Sequence, residues 1–264
     1  MDPASVTPSD GASTNGASTD GASTVRDQLA DLAARGVPWG PWAWTRIGGL
    51  RPAAVLVLLG VLDDAPAVHP SRAVPADLDL LLVGRATDLA HHPGQVAFPG
   101  GRLDPDDDGP VAAALREARE ETGLDPTGVE VLGTLEPIAV PVSRHSVTPV
   151  LGWWTTPSAV GVVDRAESAT VFRAPVAELV DPALRGTVTT THGTTVHRSP
   201  GFLVADHLVW GFTGLVLDRL LDALGWAEPW DRDRALTLAD GSVPGASGPL
   251  LDERPGAGPE PSDG

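Results

Sequence analysis

The sequence of 264 residues contains neither cysteine nor lysine, and all 18 of its basic residues are arginine. Without cysteine, the chain cannot form disulfides, thiolate metal sites or a thiol nucleophile. Without lysine, it cannot use a Schiff-base lysine or the lysine of a phosphate-cradling P-loop. Both absences narrow the catalytic chemistry that the chain can carry out.

Positive charge is scarce as well, and the formal net charge is -17 at pH 7. Such a chain is a poor candidate for non-specific nucleic-acid binding, which depends mainly on Lys and Arg contacts to phosphates. No uninterrupted apolar run reaches the roughly 18 residues of a membrane helix. The first residues, MDPASVTPSD, lack the basic and apolar regions of a signal peptide. We therefore expect a cytoplasmic protein that binds neither nucleic acid nor membrane.

Low-complexity sequence lies at the two ends of the chain. The tetrapeptide GAST occurs three times within residues 1–24, and residues 237–264 are rich in Gly, Pro, Ser and Asp. Segments of this composition cannot bury enough apolar surface to fold. We expect disordered tails at 1–24 and 237–264, on either side of one domain at 25–236.

The pattern within that domain predicts a mixed α/β (α+β) fold. Helices are expected at VRDQLADLAARG, which stops at Gly36, from Pro110 to about Thr122, and over residues 207–225. Apolar or β-branched runs predict strands at 53–60, 77–85, 94–101, 129–140, 147–156 and 168–175. Because strands outnumber the widely spaced helices, a mixed sheet flanked by helices is favoured over strict βαβ winding.

The segment ALREAREETGL, residues 114–124, is a strong helix former with an electrostatic cost. Glu117, Glu120 and Glu121 are three and four residues apart, and like charges at that spacing repel on a helix. One interpretation is a solvated charged face. The other is a cation site, since Mg²⁺ prefers oxygen ligands and often bridges carboxylates to substrate phosphates. Arg116 either orients Glu120 through a salt bridge or makes only a weak surface pair.

The surroundings of these acids resemble the Nudix box. Its C-terminal half is matched position by position by Arg116, Glu117, Ala118, Glu120, Glu121, Gly123 and Leu124. The N-terminal half departs from the general pattern. Asp107 follows Gly101 where a glutamate is usual, and one extra residue precedes Arg116. This departure argues against Asp107 as a direct metal ligand.

The same departure is found in one subgroup of the Nudix family, the coenzyme A pyrophosphatases, which residues 81–124 resemble. This subgroup tends to have aspartates three and six residues after the second glycine, as Asp104 and Asp107 are here. Upstream positions that match the subgroup are Arg85, Leu89, His92, Gly94, Gln95, Val96, Phe98, Pro99, Gly100 and Gly101. The strand SRHSVTPVLGWW and the closing FLVADHLVWGFTGLVLDRLLD are similar more loosely.

The Nudix resemblance implies an α/β/α sandwich and hydrolysis of a nucleoside diphosphate joined to another group, with Mg²⁺ or Mn²⁺. A cation held by Glu117, Glu120 and Glu121 would offset the substrate charge and lower the pKa of a bound water. The general base is either Glu120 or Glu121 of the box, or Glu167 in a distant loop. Glu167 is otherwise a plain surface acid before a strand. Arg116 is expected to brace one of the box acids.

The residues expected to contact the substrate are Arg85, His92, Gln95, Gly100, Gly101 and Arg102. Gly100 and Gly101 let the backbone approach metals and phosphates closely. His92 and Gln95 either touch the phosphopantetheine or phosphate side of the substrate, or cap a turn. Arg85 either meets a substrate phosphate or forms an ion pair within its own segment.

Three functions stay open on these residues. The leading one is hydrolysis of coenzyme A or acyl-coenzyme A, for which Arg144 and His145 are candidate contacts to the 3′-phosphate. The second is the same reaction on ADP-ribose, NADH or another dinucleotide. The third is a nucleotide-sensing module without activity, which would have lost box acids; their presence favours an enzyme. The apolar face within 207–225 belongs either to the core or to a homodimer interface.

Overall fold

The computed structural model describes residues 16–40, 49–61, 67–85, 94–164, 168–192 and 195–237. Its helices are α1 (Gly16–Arg35), α2 (Gly109–Thr122), α3 (Val176–Val180) and α4 (Gly211–Leu224). Its strands are β1 (Arg51–Val61), β2 (Leu78–Arg85), β3 (Val96–Ala97), β4 (Gly100–Arg102), β5 (Val129–Thr134), β6 (Ile138–Val140), β7 (His145–Trp154), β8 (Ser168–Pro175), β9 (Arg185–His192), β10 (Thr195–Val204) and β11 (His207–Val209). In these ranges, no helix is long and apolar enough to cross a membrane.

The main sheet has eight strands and runs in the order β3-β2-β1-β7-β5, with β4 beside β1, β6 beside β7 and β8 beside β2. Strands β1 and β7 are parallel from the pair Arg51–His145 to the pair Leu59–Trp153. The other pairings in this sheet are antiparallel. β1 is almost continuously apolar after its first residue, as expected for a strand covered on both faces.

Helices cover both faces of this sheet. Leu56 of β1 belongs to a buried cluster with Ala114 of α2. The next residue, Val57, belongs to a different cluster on the opposite face, together with Leu29 of α1 and Leu217 of α4. Successive residues of a strand point to opposite faces, so α2 forms one outer layer and α1 with α4 forms the other. The α/β/α sandwich around a mixed sheet that the sequence predicts is confirmed.

Both ends of α2 follow local signals. Pro110 occupies the first turn, where its missing N–H leaves no helical hydrogen bond unmade. Gly123 ends the helix in the left-handed region at φ 72°, and its N–H donates to the carbonyl of Arg119 at 2.9 Å. The end of α1 before Gly36, at φ 77°, is as predicted.

The segment predicted as one helix over 207–225 begins as a strand, and that part of the prediction is wrong. His207–Val209 form β11 and pair with β10, and α4 starts only at Gly211. Pairing with β10 outweighs a helical periodicity that local sequence favours. The apolar face of α4 is buried in the core, and a homodimer stays a prediction.

Other boundaries differ from the expected ones. The single strand expected over 94–101 is two strands, because β3 pairs with β2 and β4 pairs with β1. The strand expected over 129–140 is likewise divided into β5 and β6. Helix α1 begins at Gly16 and extends into the predicted tail. Arg185–His192 and Thr195–Val204 form β9 and β10 of a second, three-stranded sheet that the sequence pattern did not predict.

A buried ion pair joins the second sheet to α4. Arg185, the first residue of β9, is fully buried, and its Nη2 donates to Oδ1 of Asp218 at 2.5 Å. Its guanidinium lies 4.7 Å from the ring centres of both Phe202 and Trp230. Burial lowers the pKa of Arg185, and the charge of Asp218 opposes that shift. The pair therefore fixes α4 against the second sheet.

Candidate active site

Small side chains bring α2 close to the sheet. Ala113, Ala114 and Ala118 are fully buried between the helix and the sheet, and a methyl group lets two backbones approach closely. The acids adjoin this buried stripe, and Glu117 and Glu121 contact β4. The side chain of Glu117 is 20% exposed and that of Glu120 is 52% exposed. The acids therefore lie on a rigid element, at graded depths, beside β4.

The diglycine of β4 lies directly against two of these acids. The N–H of Gly100 donates to Oε2 of Glu121 at 3.0 Å. A Cβ atom placed on Gly101 would lie 2.4 Å from the carboxyl carbon of Glu117. Only a residue without a side chain leaves room for that carboxylate. Gly100 and Gly101 therefore bring backbone and carboxylates together, and their approach to metals and phosphates stays a prediction.

Arg116 is the centre of the hydrogen-bond network. Its Nε and Nη2 donate to the two carboxylate oxygens of Asp107, at 3.0 and 2.9 Å. Its Nη1 donates to Glu117 at 3.0 Å and to Glu120 at 3.2 Å. Its Nη2 also donates to the carbonyl of Arg102 at 3.0 Å. One guanidinium thus connects the acidic loop, β4 and two box acids, through the bidentate geometry that arginine favours.

The charges around Arg116 shift the pKa values of its neighbours. Hydrogen bonds from Arg116, followed by the backbone N–H of Asp104, lower the pKa of Asp107. Burial raises the pKa of Glu117, against the opposing hydrogen bond and charge of Arg116. The pKa of Arg116 itself is raised, chiefly by its hydrogen bond to Asp107. Asp107 therefore stays ionised as the partner of Arg116. The negative charge of Glu117 is destabilised by its burial.

The donor set fits a hard divalent cation. Glu117, Glu120 and Glu121 offer carboxylate oxygens, which Mg²⁺ and Mn²⁺ prefer. The raised pKa of Glu117 reports a negative charge that is partly desolvated and close to other acids, a cost that a cation would remove. Within the described ranges, no three His, Cys, Asp or Glu side chains converge to hold a metal ion. Arg116 donates to Glu117 and Glu120, and the Gly100 amide donates to Glu121.

The residues predicted to contact the substrate lie on different elements of the structure. Arg85, at the end of β2, has its backbone N–H bonded to the carbonyl of Gln95 at 2.9 Å. The Nε of Arg85 is buried and has no hydrogen-bond partner in the part of the chain that is described. Arg102 ends β4 and is exposed. His92 and Glu167 lie outside the described residues, so their expected roles stay predictions.

One basic residue of this region was missed by sequence reasoning. Arg51 begins β1, and its N–H donates to the carbonyl of Arg144 at 2.9 Å. Its register partner in β7 is His145. The sequence offers only its place before an apolar run as a signal, because the parallel pairing of two distant strands is a tertiary event. Arg144, at φ 55°, is exposed at the turn that precedes β7.

Comparison with known proteins identifies the family. The NUDIX domain profile matches residues 71–182. The "Uncharacterized Nudix hydrolase NudL" of Salmonella newport (strain SL254) is 37% identical over 146 residues, which cover 55% of this chain and 75% of that protein. The homologue of Salmonella agona (strain SL483) matches to the same extent. The chain belongs to the Nudix hydrolase family, and it is an enzyme that acts on pyrophosphate-containing substrates.

Solved structures of Nudix proteins match this chain with lower sequence identity. A Nudix hydrolase from M. smegmatis, RenU, has a TM-score of 0.45 and 20% identity, over 70% of this chain and 92% of that one. The NUDIX domain of Shewanella oneidensis NrtR, complexed with ADP ribose, has a TM-score of 0.37 and 21% identity, over 57% of this chain and 84% of that one. The fold assignment rests on the layers of this chain and not on these similarities.

Proposed function

We propose that this enzyme hydrolyses the diphosphate linkage of coenzyme A or acyl-coenzyme A, giving 3′,5′-ADP and 4′-phosphopantetheine or its acyl derivative. The observation that carries the proposal is the pattern of residues 81–124, with its displaced acid at Asp107. In the structure, Asp107 is the bidentate partner of Arg116. That contact accounts for an acid at this position that does not bind metal, which supports the assignment to the coenzyme A subgroup.

Glu117, Glu120 and Glu121 would hold Mg²⁺ or Mn²⁺. When bound, the cation would neutralise part of the diphosphate charge and lower the pKa of a coordinated water. The helix keeps the three carboxylates on one rigid element, which is the requirement for positioning catalysis. Gly101 leaves the space that Glu117 occupies, and the Gly100 N–H fixes one oxygen of Glu121.

Arg116 acts as a positioning residue in this proposal. It fixes Glu117 and Glu120 from one side and is itself fixed by Asp107. A single weak surface pair would contribute little, but a guanidinium with four acceptors restricts the rotamers of each partner. The acidic loop is thereby coupled to the orientation of the box acids.

The remaining residues are assigned to the substrate and to proton transfer. Arg85, His92, Gln95 and Arg102 flank the diglycine in sequence and are proposed to contact the phosphate or phosphopantetheine part. The general base is proposed to be Glu120 or Glu121, which α2 places beside β4, with Glu167 as the alternative from outside the box. The side chain of Glu120 is more exposed than that of Glu117, and it is therefore more accessible to water.

One assay separates the candidate substrates. The purified chain, with Mg²⁺ or Mn²⁺, is offered coenzyme A, ADP-ribose, NADH and diadenosine polyphosphates, and the products are separated by chromatography. We expect coenzyme A to be the best substrate. Turnover of ADP-ribose with coenzyme A untouched would reject the coenzyme A assignment, and no turnover with either metal would favour a sensing module.

A matched pair of variants tests the box itself. Glu120→Gln is expected to abolish turnover, because it removes a carboxylate proposed to hold the cation. It should not unfold the chain, because Glu120 lies at the surface of α2. Glu136→Gln makes the same chemical change at an exposed acid outside the box and should retain activity. Full activity of Glu120→Gln would contradict the role of the box acids.

A further inference from the structure

Three basic residues from distant parts of the sequence meet at one end of the main sheet. Arg51 of β1 pairs with His145 of β7 in parallel register, and Ala53 pairs with Arg102 of β4. Gly101 faces α2, since a Cβ there would meet that helix. Strand residues alternate in direction, so Arg102 projects from the opposite face, and Arg51 and His145 share it with Ala53. We refer to Arg51, Arg102 and His145 as the basic cluster.

The charges of the basic cluster are not neutralised within the described part of the chain. The guanidinium groups of Arg51 and Arg102 are exposed and make no hydrogen bond or ion pair there. The pKa of His145 is lowered, first by burial and then by the charges of Arg51 and Arg102. Its Nε2 is buried without a hydrogen-bond partner among the described residues. In a chain of net charge -17, two exposed guanidinium groups without an acidic partner in the described ranges would attract a bound anion.

The basic cluster is adjacent to the acids of α2, across the thickness of the sheet. The carbonyl of Arg102 accepts a hydrogen bond from Arg116 at 3.0 Å, and Gly101 immediately precedes Arg102. In the described ranges, β4 pairs with β1 only. An elongated substrate whose diphosphate lies at the acids would pass the other side of β4 to reach the basic cluster.

We propose that the basic cluster binds a phosphate monoester of the substrate, such as the 3′-phosphate of a 3′-phosphorylated ADP moiety. The proposal rests on the function proposed above and adds a determinant of substrate choice. Guanidinium groups bind phosphate oxygens through paired hydrogen bonds, and Arg51 and Arg102 offer two of them from neighbouring strands. ADP-ribose has no such phosphate, so the basic cluster would discriminate against it.

Binding of two small nucleotides tests the site without relying on turnover. The full chain in Mg²⁺ buffer is titrated by calorimetry with 3′,5′-ADP, 5′-AMP and inorganic phosphate. We expect 3′,5′-ADP to bind on the order of tenfold more tightly than 5′-AMP, as for one charge-assisted contact at a partly exposed site. Arg51→Gln should abolish this preference, and Arg51→Lys should keep part of it. Arg72→Gln, which removes an exposed arginine elsewhere, should leave it unchanged.

The outcomes distinguish this proposal from the proposed function. Equal binding of 3′,5′-ADP and 5′-AMP, or a preference that survives Arg51→Gln, overturns the basic cluster as a phosphate site. Inorganic phosphate binding as tightly as 3′,5′-ADP would make it a free-phosphate site and overturn the assignment to substrate. A preference lost in Arg51→Gln, with no hydrolysis of coenzyme A, supports the phosphate site and rejects the proposed reaction.

Kinetics then test the same contact in the reaction. For coenzyme A, Arg51→Gln is expected to raise KM about tenfold, again the value of one charge-assisted contact, and to leave kcat nearly unchanged. For coenzyme A that lacks the 3′-phosphate, neither constant should change. An equal rise in KM for both substrates would show a general electrostatic or structural effect and would overturn the proposal.

Discussion

Replacement of Gly101 by alanine is expected to disable the site while the fold persists. The new Cβ would lie 2.4 Å from the Cδ and Oε1 atoms of Glu117 and 2.7 Å from its Oε2. These separations are too short for non-bonded atoms. The backbone of Gly101 does not have a positive φ, so alanine is compatible with its conformation. The carboxylate of Glu117 is the end of a flexible side chain, and it is the group that must move.

The expected magnitudes for stability and activity differ widely. Glu117 can rotate toward solvent, and alanine also restricts the unfolded chain, so the free energy of unfolding should change by no more than about 1 kcal/mol. Misplacement of a positioning group by about 1 Å can cost on the order of 100-fold in rate. We therefore expect kcat/KM of Gly101→Ala to fall by about 100-fold.

Gly100→Ala provides the contrasting case. Its Cβ would lie 2.4 Å from the carbonyl oxygen of Ala54 and 2.6 Å from the Cα of Val55, which are backbone atoms of β1. The strand itself would have to shift, so this variant should lose stability as well as activity. Steady-state kinetics on the best substrate and chemical denaturation measure both effects. Wild-type kcat/KM in Gly101→Ala, or a loss of stability equal to that of Gly100→Ala, would refute the packing of Glu117 on Gly101.

Two further predictions concern the fold. Asp218→Ala leaves the buried Arg185 unpaired and should lower the free energy of unfolding by about 3–5 kcal/mol; a change below about 1 kcal/mol in chemical denaturation would contradict that pairing. Arg26 of α1 lowers the pKa of Glu130 in β5 through a hydrogen bond, so the pair stabilises the fold above the unfolded-state pKa of Glu130 and less as pH falls through the folded-state pKa. The thermal stabilities of wild type and Glu130→Gln should therefore differ at neutral pH and converge below about pH 4, and a difference independent of pH would rule out the ion pair as its source.

Local sequence was sufficient for the acid helix. Pro110 and Gly123 specify where α2 begins and ends, and the helical repeat then places Glu117, Glu120 and Glu121 along one edge. The buried strands β1 and β2 were also predicted, because short apolar runs bounded by turn residues indicate buried strands. These features depend on interactions between residues that are close in sequence.

Pairing between consecutive strands was not predicted by the same reasoning. His207–Val209 are apolar enough to continue the pattern of α4, but β10 recruits them as a strand. β9 and β10 carry threonine, histidine and glycine in place of a clear apolar alternation. Their strand conformation follows from their antiparallel pairing with each other, which the side-chain pattern of neither strand indicates.

The same distinction between local sequence and tertiary structure applies to the active site. The sequence by itself determined the family and the helix that carries the acids of the box, because motif spacing and helix ends are local properties. Only the tertiary structure decided that Asp107 is the partner of Arg116 and that Arg51 joins Arg102 and His145. The first depends on how the loop before α2 folds back on the helix, and the second on which distant strands pair and which face of a strand each side chain takes. A shift of one residue in register would reverse that face.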